Sequence, residues 1–149
     1  MALRLARDLL ETILAHAERS YPEECCGFLL GSATEEGKCV SEIRAAGNRR
    51  DDSPRNRYSI APEEFLVAER ESRSRGLEIL GFYHSHPDHP AVPSEYDREH
   101  AWAWYSYLIV PVSAGRAGAP RSYVLEEQIR SFEEERLVEE ERKPCPPGS

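Results

Sequence analysis

The chain has 149 residues, enough for one domain with a core of its own. With 40% hydrophobic and 31% charged residues its composition is that of an ordinary globular protein, and no apolar run approaches the ~20 residues a membrane-spanning helix needs. The net charge of −8, with acids crowded between Glu126 and Glu141, excludes a nucleic-acid binder, whose surface must carry clustered Lys and Arg to displace counterions.

In chain order, the first predicted element is an amphipathic helix from Ala6 to Arg19. Leu9, Leu10, Ile13, Leu14 and Ala17 recur at helical spacing, Asp8 sits in the first turn and Arg19 in the last, and Tyr21-Pro22 stops it. The opening stretch carries Asp8 and Glu11 and has no small-residue cleavage site, so it does not read as a signal peptide and a cytoplasmic location is expected. Cys25 to Leu30 is a short apolar run closed by Gly31, which predicts a buried strand. A second strand at Cys39–Ala45 pairs with it across the turn at 34–38. The polar stretch Gly47–Arg57 reads as a solvated loop, because Asp51 and Asp52 sit among its arginines.

The second helix starts at Pro62, with Glu63 and Glu64 beside it, and closes at Arg73 and Arg75 with Gly76 just beyond. Leu77–Tyr83 reads as a strand that runs straight into His84-Ser85-His86-Pro87. After the turn-rich DHPAVP, Ser94 opens a short helix through roughly Trp104. Tyr107–Val112 and Arg121–Leu125 are strands separated by a turn at Gly115–Pro120. The order is that of an α/β protein, a mixed, curved sheet flanked by helices. One domain is expected over 1–142, and the Pro-rich end at 143–149 reads as a disordered tail.

Of the four cysteines, Cys25, Cys26, Cys39 and Cys145, none forms a CxxC pair, so a structural zinc knuckle is not indicated. Cys25 and Cys26, if on a strand, point to opposite faces. Free buried thiols, packed as small hydrophobes, are the plain reading.

The chemistry gathers at His84 and His86. Two residues apart on a strand, they share a face about 6.6 Å apart along the backbone, and both imidazoles turn to one ion where the strand end curves. Pro87 ends the pairing directly afterwards, which places the pair at a sheet edge. A catalytic zinc site needs three protein ligands and an open position, and Asp97, on the first turn of the next helix, is the candidate third. Ser94-Glu95-Tyr96-Asp97 also matches a capping box, in which the same two side chains merely satisfy helix amides. A lone HxH is equally compatible with paired surface histidines.

Taken together, these pieces resemble the signature of the JAMM (MPN-plus) metalloprotease family: an upstream glutamate, then H-[ST]-H-P, a short spacer and S-x-x-D. The chain supplies Glu24 within PEECCGFLLG, HSHP at 84–87 and SEYD at 94–97. Tyr21-Pro22, Arg57-Tyr58 with Ala61-Pro62, and Gly81-Phe82-Tyr83 also resemble the compact bacterial members, so the likeness runs from about Leu9 to Val112. It implies an MPN/JAMM, cytidine-deaminase-like fold and a metallopeptidase in which His84, His86 and Asp97 bind Zn²⁺. Glu24 would be the general base and Ser94 the donor to the oxyanion. The family's pattern places the glutamate two residues before Cys-Gly, which selects Glu24 over Glu23.

The implied reaction is hydrolysis of a peptide or isopeptide bond after the C-terminal glycine of a ubiquitin-like or sulfur-carrier protein. A Gly-Gly tail has no side chains to exclude from a narrow cleft and adds as a strand beside a sheet edge. The short chain favours the small carrier over polyubiquitin, and nothing in it marks an oligomeric state, a nucleic acid or a membrane. A non-catalytic MPN scaffold is the alternative; such members usually lose metal ligands, which this chain keeps. A zinc deaminase is excluded, because its H-x-E and P-C-x-x-C pattern is absent. His16, His89 and His100 read as partly buried or solvated, Trp102 and Trp104 as packing residues, and Ser85 as a strand residue that orients the metal ligands.

Overall fold

Local patterning explains both long helices. The computed structural model describes residues 2–47 and 60–148. In it α1 (Arg7–Ser20) buries Leu9, Leu10, Ile13 and Ala17, the apolar stripe of its helical repeat, with Asp8 and Arg19 placed to suit the helix dipole. α2 (Pro62–Ser74) begins on Pro62, whose missing N–H costs nothing there, and buries Ala68 and Ser72. The predicted hairpin forms from β2 (Cys26–Thr34) and β3 (Gly37–Ala46), closed by the pair Thr34 and Gly37.

The remaining strands complete a mixed sheet. β1 (Ala2–Ala6) pairs in parallel with β3 and with β8 (Ser131–Glu140); β8 continues antiparallel to β7 (Arg121–Glu126), and β7 to β5 (Ser106–Ser113). β4 (Glu78–Pro87) pairs antiparallel with β2 and parallel with β5, so the sheet closes on itself; the two-residue β6 (Arg116–Ala117) hangs on the end of β5. One core, Leu3, Leu5, Leu29, Val40, Leu80 and Leu108, packs under α1. A second, with Phe28, Ile79, Phe82 and Tyr107, packs with Ala68 of α2. Two glycines permit close approach. A Cβ on Gly81 would lie 2.0 Å from the Ser106 carbonyl oxygen, and one on Gly27 would lie 2.2 Å from the Tyr83 ring, whose hydroxyl reaches His16 Nδ1 at 2.8 Å.

Several expectations change. β4 continues through His84-Ser85-His86-Pro87, and all four residues pair with β5. The histidines therefore end a central strand rather than sit at a sheet edge; on the other side, pairing with β2 stops at His84 opposite Cys26. Proline, which has no N–H to donate, is tolerated where that position faces no partner strand. The short helix α3 (Glu95–His100) ends before the tryptophans. β1 precedes the expected helix, too short for its alternation of Leu3 and Leu5 to stand out. β8 carries Glu133, Glu134, Glu135, Glu139 and Glu140, a composition that disfavours strands. It pairs on both sides, and Arg121 meets Glu134 at 2.6 Å while Arg7 meets Glu139 at 3.0 Å. From residue 48 onward, the predicted 47–57 loop and the Arg57-Tyr58 pair lie outside the described residues. Among the described residues no helix is long and apolar enough to cross a membrane.

The cysteines also depart from expectation. Cys39 and Cys145, 106 residues apart, form a disulfide, while Cys25 and Cys26 are buried thiols. Free thiols thus hold for two of the four; the pairing was invisible locally because it joins β3 to a segment that only the finished fold brings near. Residues 141–148 have no regular secondary structure, and Ser32 Oγ donates to the Pro146 carbonyl at 2.5 Å. Thiol titration after unfolding without reductant should count two thiols, and four after reduction. Cys145→Ser should lower unfolding free energy by about 5 kcal/mol, the loop-closure contribution of a bridge spanning roughly 100 residues. Denaturant melts check this: reductant should bring the wild type down to the variant and leave the variant unchanged.

Candidate metal centre

The strand end of β4 delivers two imidazoles to one place. His84 is fully buried and His86 is 7% exposed. Their Nε2 atoms lie 3.2 Å apart. Asp97 arrives from the first turn of α3, and its Oδ2 stands 3.4 Å from His84 Nε2 and 3.2 Å from His86 Nε2. Four-coordinate zinc with ligand distances near 2.0–2.1 Å has tetrahedral edges of about 3.3–3.4 Å, so the three atoms already occupy three corners of such a site. Among the described residues this is the one His/Cys/Asp/Glu group close enough to hold an ion.

The tautomer is set by the spacer. His86 Nδ1 lies 2.9 Å from the Pro90 carbonyl, to which it donates, leaving the Nε2 lone pair aimed at the shared centre. Three electron-rich atoms facing one another repel unless a cation lies among them. Two imidazoles and a carboxylate form a donor set of the catalytic-zinc type, which supplies three protein ligands.

The capping box and the ligand set turn out to share atoms. Ser94 Oγ accepts the Asp97 N–H at 3.0 Å, and Asp97 Oδ2 accepts the Ser94 N–H at 2.8 Å, so the box is complete. The same Oδ2 faces both histidines. Helix capping thus orients the carboxylate instead of competing with the centre, and two readings that looked like rivals are compatible. Ser94 is exposed, and because its oxygen accepts from the backbone, its hydroxyl hydrogen is left to donate.

Glu24 and Glu23 are separated by burial: Glu24 is 5% exposed, whereas Glu23 is exposed. Glu24 immediately precedes Cys25, which Ser85 clamps to β4. Ser85 Oγ accepts the Cys25 N–H at 2.8 Å, and Ser85 N–H donates to the Cys25 carbonyl at 3.1 Å. Ser85 therefore positions the glutamate segment rather than the histidine rings, a role its place between two histidines did not disclose. Burial pushes the Glu24 carboxyl up to about 9, and the nearby Asp97 charge adds to the rise. For Asp97 burial acts upward too, but His84 and then His86 hold it well below the ordinary carboxylate range. Burial lowers the His84 imidazole against the pull of Asp97.

Beside Asp97 opens a cavity of about 540 Å³, lined by Pro62, Phe65, Leu66, Phe82, Tyr96 and Trp102 among others. Leu66 and Trp102 are each 57% exposed. Trp102, read from the sequence as packing, does meet Phe65 edge-on with centroids 5.9 Å apart, and it also walls this groove. His89 and His100 are exposed, and His16 bonds Tyr83, so none of the three joins the centre.

Comparison with known proteins gives a consistent result. The family model for prokaryotic homologs of the JAB domain matches residues 6–126. A desampylase of Haloferax volcanii is 38% identical over 112 residues, covering 72% of this chain and 78% of that protein. A probable TtuB-protein conjugate cleaving protease of Thermus thermophilus is 32% identical over 117 residues, covering 78% and 75%. The solution structure of a Desulfitobacterium hafniense protein superposes with a TM-score of 0.80 at 32% identity, over 95% of this chain and 94% of that one.

Proposed function

Because the chain belongs to the prokaryotic JAB-domain family and is a JAMM metalloprotease-type hydrolase, we propose that it uses Zn²⁺ to hydrolyse a peptide or isopeptide bond after the C-terminal glycine of a ubiquitin-like or sulfur-carrier protein. His84, His86 and Asp97 hold the ion. The observation that carries this reading is the meeting of their three ligand atoms at tetrahedral spacing beside a buried glutamate. When bound, Zn²⁺ supplies Lewis acidity, acidifying water and polarising a carbonyl.

The residues divide the remaining work. The Glu24 carboxylate takes a proton from the attacking water and hands it to the departing amine, the two halves of general acid–base catalysis. Burial suits this, since a carboxylate shielded from bulk water passes the proton it takes to the amine instead of losing it to solvent. Ser94, with its hydroxyl hydrogen free of the capping bond, donates to the oxygen on which negative charge develops. His86 keeps its Nδ1 proton on Pro90, so its ring neither rotates nor competes for the water's proton. The apolar groove ending at Asp97 receives the substrate tail.

The substrate class is supported by the names of the relatives, a desampylase and a probable conjugate-cleaving protease. A non-catalytic scaffold has no use for two histidines and an aspartate at ligand spacing. The test is a ubiquitin-fold carrier whose final glycine is amide-linked to a reporter peptide. Release should occur after that glycine by mass spectrometry, cease with a chelator, and return with one equivalent of Zn²⁺. Cleavage indifferent to chelation, or at another bond, would refute the proposal.

A further inference from the structure

The strand opposite the centre carries a buried cation that the reaction does not use. Lys38, near the start of β3, is 2% exposed. An ammonium removed from water is strongly penalised unless it is paired and hydrogen-bonded. Here the compensation comes from the segment between α3 and β5. Lys38 Nζ donates to the Trp104 carbonyl, donates to Ser106 Oγ at 3.0 Å, and lies 4.4 Å from the centroid of the Trp104 ring. Burial lowers the amine to about 8, while Glu135 and Glu78 pull the other way.

The segment it holds is shaped by need. Trp104 has φ +79°, a left-handed conformation that is unfavourable for a side-chain-bearing residue and persists only where its surroundings enforce it. At the other end of the segment, Trp102 N–H donates to Tyr107 Oη at 2.9 Å, and Arg130 Nη1 donates to the Ala101 carbonyl at 3.3 Å. Trp102, between these anchors, is the wall of the groove beside Asp97. Lys38 itself is remote: Ala46, the β3 residue paired with Cys26 near the centre, lies eight positions further on, about 27 Å of strand.

We propose that Lys38 is a positioning residue for substrate: its buried ammonium fixes the backbone at Trp104 and thereby the Trp102 wall of the groove. The substrate part of this rests on the groove serving the reaction proposed above; the loop part does not. Trp102 and Trp104 are the only tryptophans of the chain, so intrinsic fluorescence reads this segment without background.

The experiment compares the zinc-loaded wild type with Lys38→Met and Lys38→Arg. Lys38→Met should keep its full zinc equivalent and a kcat within about threefold, raise KM for the ubiquitin-fold substrate about tenfold, and shift tryptophan emission to the red. Lys38→Arg, which retains charge and donors, should lie between the two. Unchanged emission and KM in Lys38→Met would overturn the proposal, as would equal losses of zinc and kcat. Should Lys38→Met fail to fold, Ser106→Ala removes one acceptor and leaves the charge; it should give a smaller red shift, and no shift overturns the proposal. If the wild type cleaves nothing, the reaction is refuted, while the fluorescence result still decides the role of Lys38.

Discussion

Glu24→Gln is expected to bind a full equivalent of zinc and to lose turnover by about 10³-fold, the middle of the range for a general base. Gln has nearly the shape of Glu and accepts hydrogen bonds, but it cannot take a proton from water. Since His84, His86 and Asp97 are untouched, metal content by elemental analysis should match the wild type, and KM should change little. Activity within tenfold of wild type would remove Glu24 from the mechanism. Loss of zinc would instead make it a ligand. Glu23→Gln is the control; its exposed side chain predicts wild-type rates.

The same variant has a pH signature in the metal-free protein. The Glu24 carboxyl rises from 4.5 to about 9 on folding because burial penalises its charged form and Asp97 repels it. The folded state therefore holds a proton that the unfolded state releases. Its contribution is intact below pH 4.5 and is lost as pH climbs toward 9, by up to about 1.4 kcal/mol per unit. Gln has no such proton to lose. Metal-free Glu24→Gln should thus be the more stable protein at pH 8 and draw level near pH 4.5. Parallel melting curves across that interval would contradict the burial and repulsion described here.

His84→Ala is expected to abolish activity and to weaken zinc binding by more than about 100-fold, the upper range for loss of mere supporting residues around a metal. His84 is fully buried at the end of a central strand, so no neighbouring side chain can swing in to replace it. Removing the ring also leaves Asp97 facing one imidazole instead of two. The variant should fold, and circular dichroism together with a cooperative melt separates loss of metal from loss of structure. A folded His84→Ala protein with unchanged zinc would disprove the centre.

The comparison between sequence and structure turns on range. α1 and α2 were legible because their apolar repeat and terminal residues lie within a few turns. The β2–β3 hairpin was legible because its strands are neighbours. His84, His86, Ser94 and Asp97 lie within fourteen residues, and that spacing, with Glu24 upstream, carries the resemblance to the JAMM signature. β8 was hidden because its glutamates argue against a strand until Arg7 and Arg121 stand opposite them. The disulfide was hidden because Cys39 and Cys145 share no local pattern.

By itself, then, the sequence determined the chemical kit: two imidazoles on one strand face, a carboxylate on a capped helix turn, and a glutamate pair upstream. Periodicity and capping are short-range properties, written in adjacent residues. The tertiary structure alone decided how the kit is used. Pairing of β4 with both β2 and β5 put the histidines at the end of a central strand, and the Ser85–Cys25 clamp holds the Glu24 segment against that strand. Burial and the charge of Asp97, both consequences of elements distant in the chain coming together, add a physical difference between Glu24 and Glu23 to the choice that the resemblance implies. Desolvation and Coulomb interaction depend on distance in space, which neighbouring residue types do not encode.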